Sequence, residues 1–251
     1  MALIQLDITN DNGIQLIKLN AQRTKNALTH QMYEGITNAL NSADNDDSVM
    51  FSVITGCGEY FSSGTHLGFK SFNENGYNDY VERATAIVKN FVSAFINYSK
   101  LVIAVVNGPA IGIGVTILGL CDIVFASHRA TFQLPFMKLG LCPEACSSYT
   151  FPRIMGPSKA GHLLYLGYKM NAEEAFNCGL VGHLFDDSQI DKIFVKLKLI
   201  TTFPKNSLST SKKLLRGWNK ELLHEVNEKE MVQVAQCLKS DTFINALLSK
   251  L

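Results

Sequence analysis

The chain has 251 residues, enough to bury a substantial core as one large domain or as a domain with an appendage. A content of 47% hydrophobic and 18% charged residues excludes a disordered chain. A formal net charge of +1 gives no electrostatic case for nucleic acid as the main partner. Two strands are expected over Ile4–Thr9 and Ile14–Leu19, joined by the turn Asn10-Asp11-Asn12-Gly13. Alternation starts at the N-terminus, so no targeting segment is expected ahead of it. Met32, Ile36, Ala39, Leu40 and Ala43 then share one helical face. Val49–Ile54 reads as a buried strand ending at Thr55-Gly56-Cys57-Gly58, and Tyr80 to Ile96 as a longer amphipathic helix. Leu101–Val106 is another buried strand, closed by Asn107-Gly108-Pro109, with a glycine-rich helix start at Gly112 and a strand at Asp122–Ala126. No apolar run is long enough to span a bilayer.

The recurring order of strand, glycine turn, helix and strand argues for an α/β domain. From about Gln189 onward the pattern is helical throughout, so residues 1–188 read as an α/β core and 189–251 as a helical region. Leu197, Ile200, Leu208, Leu214, Leu215, Leu222, Leu223 and Val226 leave much apolar surface there, and self-association is expected. Lys205, Lys212, Lys213, Arg216 and Lys220 read as a solvated helical face, with contact to a phosphate-bearing ligand as the alternative. Six scattered cysteines, with only Cys142 and Cys146 close together, read as reduced thiols of an intracellular protein and not as a metal site. Cys146, close to Glu144, is a candidate nucleophile or a buried structural thiol. The chain stops at Ser249-Lys250-Leu251, the tripeptide read by the peroxisomal import receptor, so the peroxisomal matrix is the expected compartment.

Three segments carry candidate chemistry. Tyr60-Phe61-Ser62-Ser63-Gly64-Thr65-His66-Leu67 and Val105 to Gly114 each follow a strand and are expected to set a glycine turn beside a helix N-terminus. Opening N–H groups there lack intrahelical partners, and two of them converging would make an oxyanion hole. The plainer reading is that the glycines only permit tight strand–helix packing. The third segment is Leu139 to Ser148, containing Pro143-Glu144-Ala145-Cys146.

Together with Asn26-Ala27-Leu28, Cys121-Asp122 and Ala130-Thr131-Phe132, these segments resemble the crotonase (enoyl-CoA hydratase/isomerase) superfamily. The resemblance implies a spiral of repeated β-β-α units with a C-terminal helical oligomerisation region, assembled as a homotrimer or a dimer of trimers. It implies that the Thr65 and Ile113 N–H groups form the oxyanion hole for a thioester carbonyl. Lys25, Asn26, Ala27, Leu28, Ser63, Gly64, Thr65, His66 and Leu67 should line the CoA groove. No separate cofactor is implied, because CoA is part of the substrate. Hydratases of this family use two glutamates, and the matching positions here hold Thr116 and Phe136, so water addition is not expected.

The stretch around Glu144 resembles the peroxisomal Δ3,Δ2-enoyl-CoA isomerases, whose catalytic glutamate occupies that place. On that resemblance Glu144 would take a C2 proton from a 3-enoyl-CoA and return it at C4. Taken alone, Glu144 after Pro143 also reads as an acid stabilising a helix dipole. Burial of the carboxyl can raise its pKa by roughly 2–4 units, and each oxyanion donor can contribute about 3–4 kcal/mol. Ala145, in place of a glycine common among relatives, and His66, in place of an acid or amide, depart from the family pattern. A non-catalytic acyl-CoA-binding or protein-binding member, and another crotonase chemistry such as dienoyl-CoA isomerisation, are the competing expectations.

Overall fold

The structure, a computed structural model, describes residues 5–67 and 76–249. Ile4 of the expected first strand, and Lys250 and Leu251 of the terminal tripeptide, lie outside the described residues. Strands β1 (Leu6–Asp11) and β2 (Ile14–Leu19) form an antiparallel hairpin. Its turn is tighter than the four residues expected. Asn12 and Gly13 both adopt positive φ, 49° and 84°, the pattern in which an Asn-Gly pair follows the twist of the flanking strands.

Helix α1 (His30–Asp44) begins at the Thr29 cap, whose hydroxyl accepts the Met32 N–H, and leads into β3 (Phe51–Gly56). Helix α2 (Tyr77–Asn97), β4 (Leu101–Val106), β5 (Ala110–Ile111), the single helical turn α3 (Ile113–Thr116) and β6 (Ile123–Ser127) follow. After β7 (Thr131–Gln133) come α4 (Ser147–Met155), α5 (Pro157–Leu166), β8 (Lys169–Asn171), α6 (Ala172–Asn177) and β9 (His183–Phe185). The chain then continues through α7 (Ile190–Ile200), α8 (Lys205–Arg216), α9 (Lys220–Leu238) and α10 (Asp241–Leu248).

The main sheet has the order β1-β2-β3-β4-β6-β9, parallel from β2 onward. Its central strand β4 is apolar without interruption because both faces are covered. On β4, Val102, Ala104 and Val106 pack into a core with Ile36, Leu40 and Phe91 from α1 and α2. Ile103 and Val105 face the opposite way, onto Ile193 and Leu197 of α7. A second sheet, β5-β7-β8, was not expected from the sequence. Its strands are two or three residues long, too short for any period to register.

Asp122, in the Cys121-Asp122 motif, ties the helical region to this sheet. Its Oδ2 accepts the Val102 N–H at 2.8 Å and pairs with Lys212 Nζ at 2.8 Å, while Arg216 Nε lies 3.4 Å from Oδ1. Lys212 also donates to the Lys100 carbonyl at 2.6 Å, and Lys205 to that of Asp47. Three of the five basic residues considered for a phosphate are therefore engaged within the chain. The region 189–251 divides in the same way. Leu223, Met231 and Phe243 are buried against the chain's own core, whereas Leu214, Leu215 and Trp218 are 60%, 78% and 83% exposed. Among the described residues, no helix is long and apolar enough to cross a membrane.

Candidate active site

Two loops at the ends of β3 and β4 are locked together by buried groups. The Ser62 carbonyl accepts the Ile111 N–H at 2.9 Å, and its hydroxyl donates to the Asn26 carbonyl and accepts the Gly64 N–H. Gly64 sits at φ 90°, and a Cβ there would lie 2.9 Å from the Ile111 carbonyl oxygen. Backbone meets backbone here, and only a glycine permits it.

Thr65 is bridged to Leu28 in parallel fashion. The Leu28 N–H donates to Gly64 O at 2.8 Å and the His66 N–H to Leu28 O at 2.9 Å. That pairing straddles Thr65 and turns its own N–H to the other side of the segment. The expected helix N-terminus at Thr65 is not what frees this amide: the residue is extended, and the next described helix is α2, from Tyr77. Ile113 is the first residue of α3, so its N–H has no intrahelical acceptor. Among the described residues neither amide donates to another backbone group. Thr65 is steadied from α1: Tyr33, fully buried, shares a hydrogen bond of 2.8 Å between its hydroxyl and Thr65 Oγ1.

Thr65 and Ile113 line the same cleft as Glu144. The cleft is otherwise mostly apolar. Val88 of α2, Phe136 and Leu139, Met231 and Val234 of α9 and Phe243 of α10 form much of its wall, so residues on both sides of the boundary drawn at 188/189 build it. Glu144 is 8% exposed. Its Oε1 accepts the Thr116 hydroxyl at 2.7 Å, and its buried Oε2 has no hydrogen-bond partner among the described residues. Burial pushes the carboxyl up to about 8, against the Thr116 hydrogen bond, with the nearby Glu230 carboxylate adding to the rise.

The backbone that presents Glu144 is strained. Ala145 and Cys146 adopt φ of 53° and 60°, left-handed conformations that cost non-glycine residues roughly 1–2 kcal/mol each. Glycine would adopt the φ at Ala145 without that cost. Glu144 does not cap α4, so the helix-dipole reading of this acid is corrected. The Cys146 and Ser148 amides at the start of α4 are instead taken by Glu230, reaching across from α9. Cys146 is fully buried, with its thiol donating to the Leu223 carbonyl at 3.3 Å and its pKa raised by burial. It is a structural thiol and not a nucleophile.

The residues expected along the CoA groove separate into three groups. Ser63, Gly64, Thr65 and Leu67 line the cleft. Asn26, Ala27 and Leu28 are buried, and the Asn26 side chain is spent on the Ala21 N–H and the Cys57 and Tyr60 carbonyls. Asn26 thus clamps the loop that carries Ser63 to Leu67. Lys25 is exposed, with Nζ 5.1 Å from the centre of the Tyr60 ring, and His66 is exposed outside the cleft wall. Tyr33 and Glu230 were not singled out from the sequence. Each looks like an ordinary residue of an amphipathic helix until the tertiary contacts are known.

A layered α/β core with helices closing an apolar cleft over the buried Glu144 carboxyl is the crotonase architecture. The family model for enoyl-CoA hydratase/isomerase matches residues 9–244, and the chain belongs to that family. It is 44% identical over 243 residues to enoyl-CoA delta isomerase 2 of Rattus norvegicus, covering 96% of this chain and 62% of the rat protein. Over 241 residues it is 42% identical to enoyl-CoA delta isomerase 3, peroxisomal, of Mus musculus, covering 96% of this chain and 76% of the mouse protein. A crystal structure of an enoyl-CoA hydratase/isomerase from Pseudoalteromonas atlantica superposes with a TM-score of 0.89 at 32% identity, covering 98% and 96% of the two chains. The chain thus spans less than two thirds of the rat relative's length.

Proposed function

We propose that this chain is an enoyl-CoA isomerase that converts 3-enoyl-CoA to 2-trans-enoyl-CoA, with Glu144 as its single acid–base group. The observation that carries this reading is the state of that carboxyl: one oxygen held by Thr116, the other buried and without a partner among the described residues, in an apolar cleft that it shares with the Thr65 and Ile113 amides. The names of the rat and mouse relatives support it. So do Thr116 and Phe136, which leave no second carboxylate at the positions hydratases use.

In the first step Oε2 takes a C2 proton, and the electron pair moves through C1 onto the thioester oxygen, giving a dienolate. The amides of Thr65 and Ile113 would hold that charge, at about 3–4 kcal/mol per donor. In the second step the protonated carboxyl gives the proton to C4 while the enolate re-forms the carbonyl, leaving the double bond between C2 and C3. C2 and C4 flank one carbon, so a single oxygen can serve both. A thioester α-proton is less acidic than a carboxylic acid by on the order of ten pK units or more, at about 1.4 kcal/mol each. A base moved from 4.5 to about 8 removes a good part of that gap. The two amides and the fixed substrate position supply the rest.

The decisive assay follows the rise in absorbance of the conjugated thioester as 3-enoyl-CoA is consumed, across chain lengths and pH. Turnover is expected, with kcat/KM falling on the acid side of about 8 as Glu144 becomes protonated. Tight acyl-CoA binding without turnover on any chain length would reverse the proposal in favour of a binding protein. Thr116→Val sharpens the pH test. The hydroxyl stabilises the ionised carboxylate, so its loss should move the acid limb upward by about one pH unit and lower kcat/KM at pH 7 roughly tenfold. An unmoved limb would mean that Thr116 does not control the base.

A peroxisomal setting is part of this proposal, supported by the mouse relative's name. Self-association is also part of it, supported by the exposed Leu214, Leu215 and Trp218.

A further inference from the structure

Glu230 lies within α9, 7% exposed, and its carboxylate is docked on the turn that follows Glu144. Oε2 accepts the Cys146 N–H at 2.6 Å; Oε1 accepts the Ser148 N–H at 3.0 Å and the Ser148 hydroxyl at 2.5 Å. Those amides open α4 and have no intrahelical partner of their own. The backbone they belong to has just passed through the two left-handed residues Ala145 and Cys146. Ser147 completes the turn, its N–H and hydroxyl both donating to the Glu144 carbonyl at 3.1 and 2.7 Å. Among the described residues no lysine, arginine or histidine pairs with Glu230. Burying a carboxylate near a second buried carboxylate costs stability. A helix cap alone could be supplied by a neutral side chain.

We propose that Glu230 is a positioning residue for the isomerisation: from α9 it locks the strained Ala145-Cys146 turn and so holds Glu144 over the cleft. This rests on the reading of Glu144 as the base. The titratable groups that face the pair are Tyr33 from α1, Cys142 and Cys146 from the Glu144 segment, and Cys237 beside Cys142 from α9. Burial raises the pKa values of Tyr33, Cys142 and Cys146 and keeps these three neutral at pH 7. The ionised Glu230 raises the pKa of Glu144, with no pairing cation among the described residues; burial raises Glu230's own pKa in turn, against its hydrogen bonds from Ser148 and Cys146.

The test compares Glu230→Gln, Glu230→Asp and Glu144→Gln with the unaltered full chain on 3-enoyl-CoA. Glu230→Gln keeps the volume but sets an amide group against the α4 donors and removes the charge. Its kcat should fall roughly tenfold to a hundredfold, KM should change less than about threefold, and the acid limb of kcat/KM should move to lower pH. Both removal of a like charge and hydration of a loosened Glu144 act in that direction. Glu230→Asp retains the charge but cannot span all three donors, so kcat should fall with less movement of the limb. If Glu230→Gln does not fold, the aspartate variant decides by its kcat.

Wild-type kcat per folded molecule and an unmoved limb, with only a lower melting temperature, would overturn the proposal and leave Glu230 a structural cap. Full activity in Glu144→Gln would instead overturn the reading of the base, so the two failures are told apart.

Discussion

Glu144→Gln is expected to lower kcat on 3-enoyl-CoA at least about a hundredfold, with a smaller change in KM. Gln has nearly the same shape and can still accept the Thr116 hydroxyl, so the cleft and the two amides stay in place. What it loses is the ability to accept a proton, a contribution of roughly 10²–10⁴ in general acid–base catalysis. The same variant should be more stable than the unaltered chain at alkaline pH. A carboxyl raised from 4.5 to about 8 binds its proton more tightly folded than unfolded. Between those values the native state holds a proton that the unfolded chain has released, so stability falls as pH rises. Melting curves of the two proteins should converge near pH 5 and separate by pH 8, the variant melting higher. Retained turnover would remove Glu144 from the reaction. Identical stability at pH 8 would show that the carboxyl is not held neutral by burial.

Gly64→Ala is expected to cost about a hundredfold in kcat by disturbing the amides and not the base. Its Cβ would fall 2.9 Å from the Ile111 carbonyl oxygen, and φ is 90°. The neighbouring atom is backbone, so relief requires movement of the Gly64-Thr65 peptide, of the Ile111-Gly112 peptide or of both. Either displaces an N–H that would meet the thioester oxygen, and loss of one such donor costs roughly 10²–10³. Gly76→Ala separates geometry from general strain. Its φ of 94° is equally unfavourable for alanine, but a Cβ there meets nothing within 4 Å among the described residues. That variant should lose about 1 kcal/mol of stability and keep its kcat. Wild-type kcat in Gly64→Ala would detach the Thr65 amide from catalysis.

What was legible in the sequence is what short-range pattern carries. Leu101–Val106 is a buried strand because both faces of the main sheet are covered, and the apolar run says so directly. Ser62 to Thr65 and Glu144 were legible as motifs, and the cleft brings Ser63, Gly64, Thr65, Ile113 and Glu144 together. Asn26 was readable as a residue of the site but not as a clamp, because its partners Cys57 and Tyr60 lie more than thirty positions away. The strands β5, β7 and β8 exist only through pairing with one another, which no window of two or three residues reveals. Glu230 reads locally as a helical acid, and the contact that changes its meaning spans 84 positions.

The single-base route is tested most directly by following one proton. Unaltered protein is given 3-enoyl-CoA deuterated at C2, in ordinary water, and the deuterium at C4 of the 2-trans product is measured early in the reaction. A carboxyl buried in an apolar cleft, with Oε2 bound to nothing else in the described chain, should hand a substantial fraction of the label from C2 to C4. A product with no deuterium at C4 from the first turnovers onward would contradict it, because the proton delivered there would have come from a second acid or from solvent.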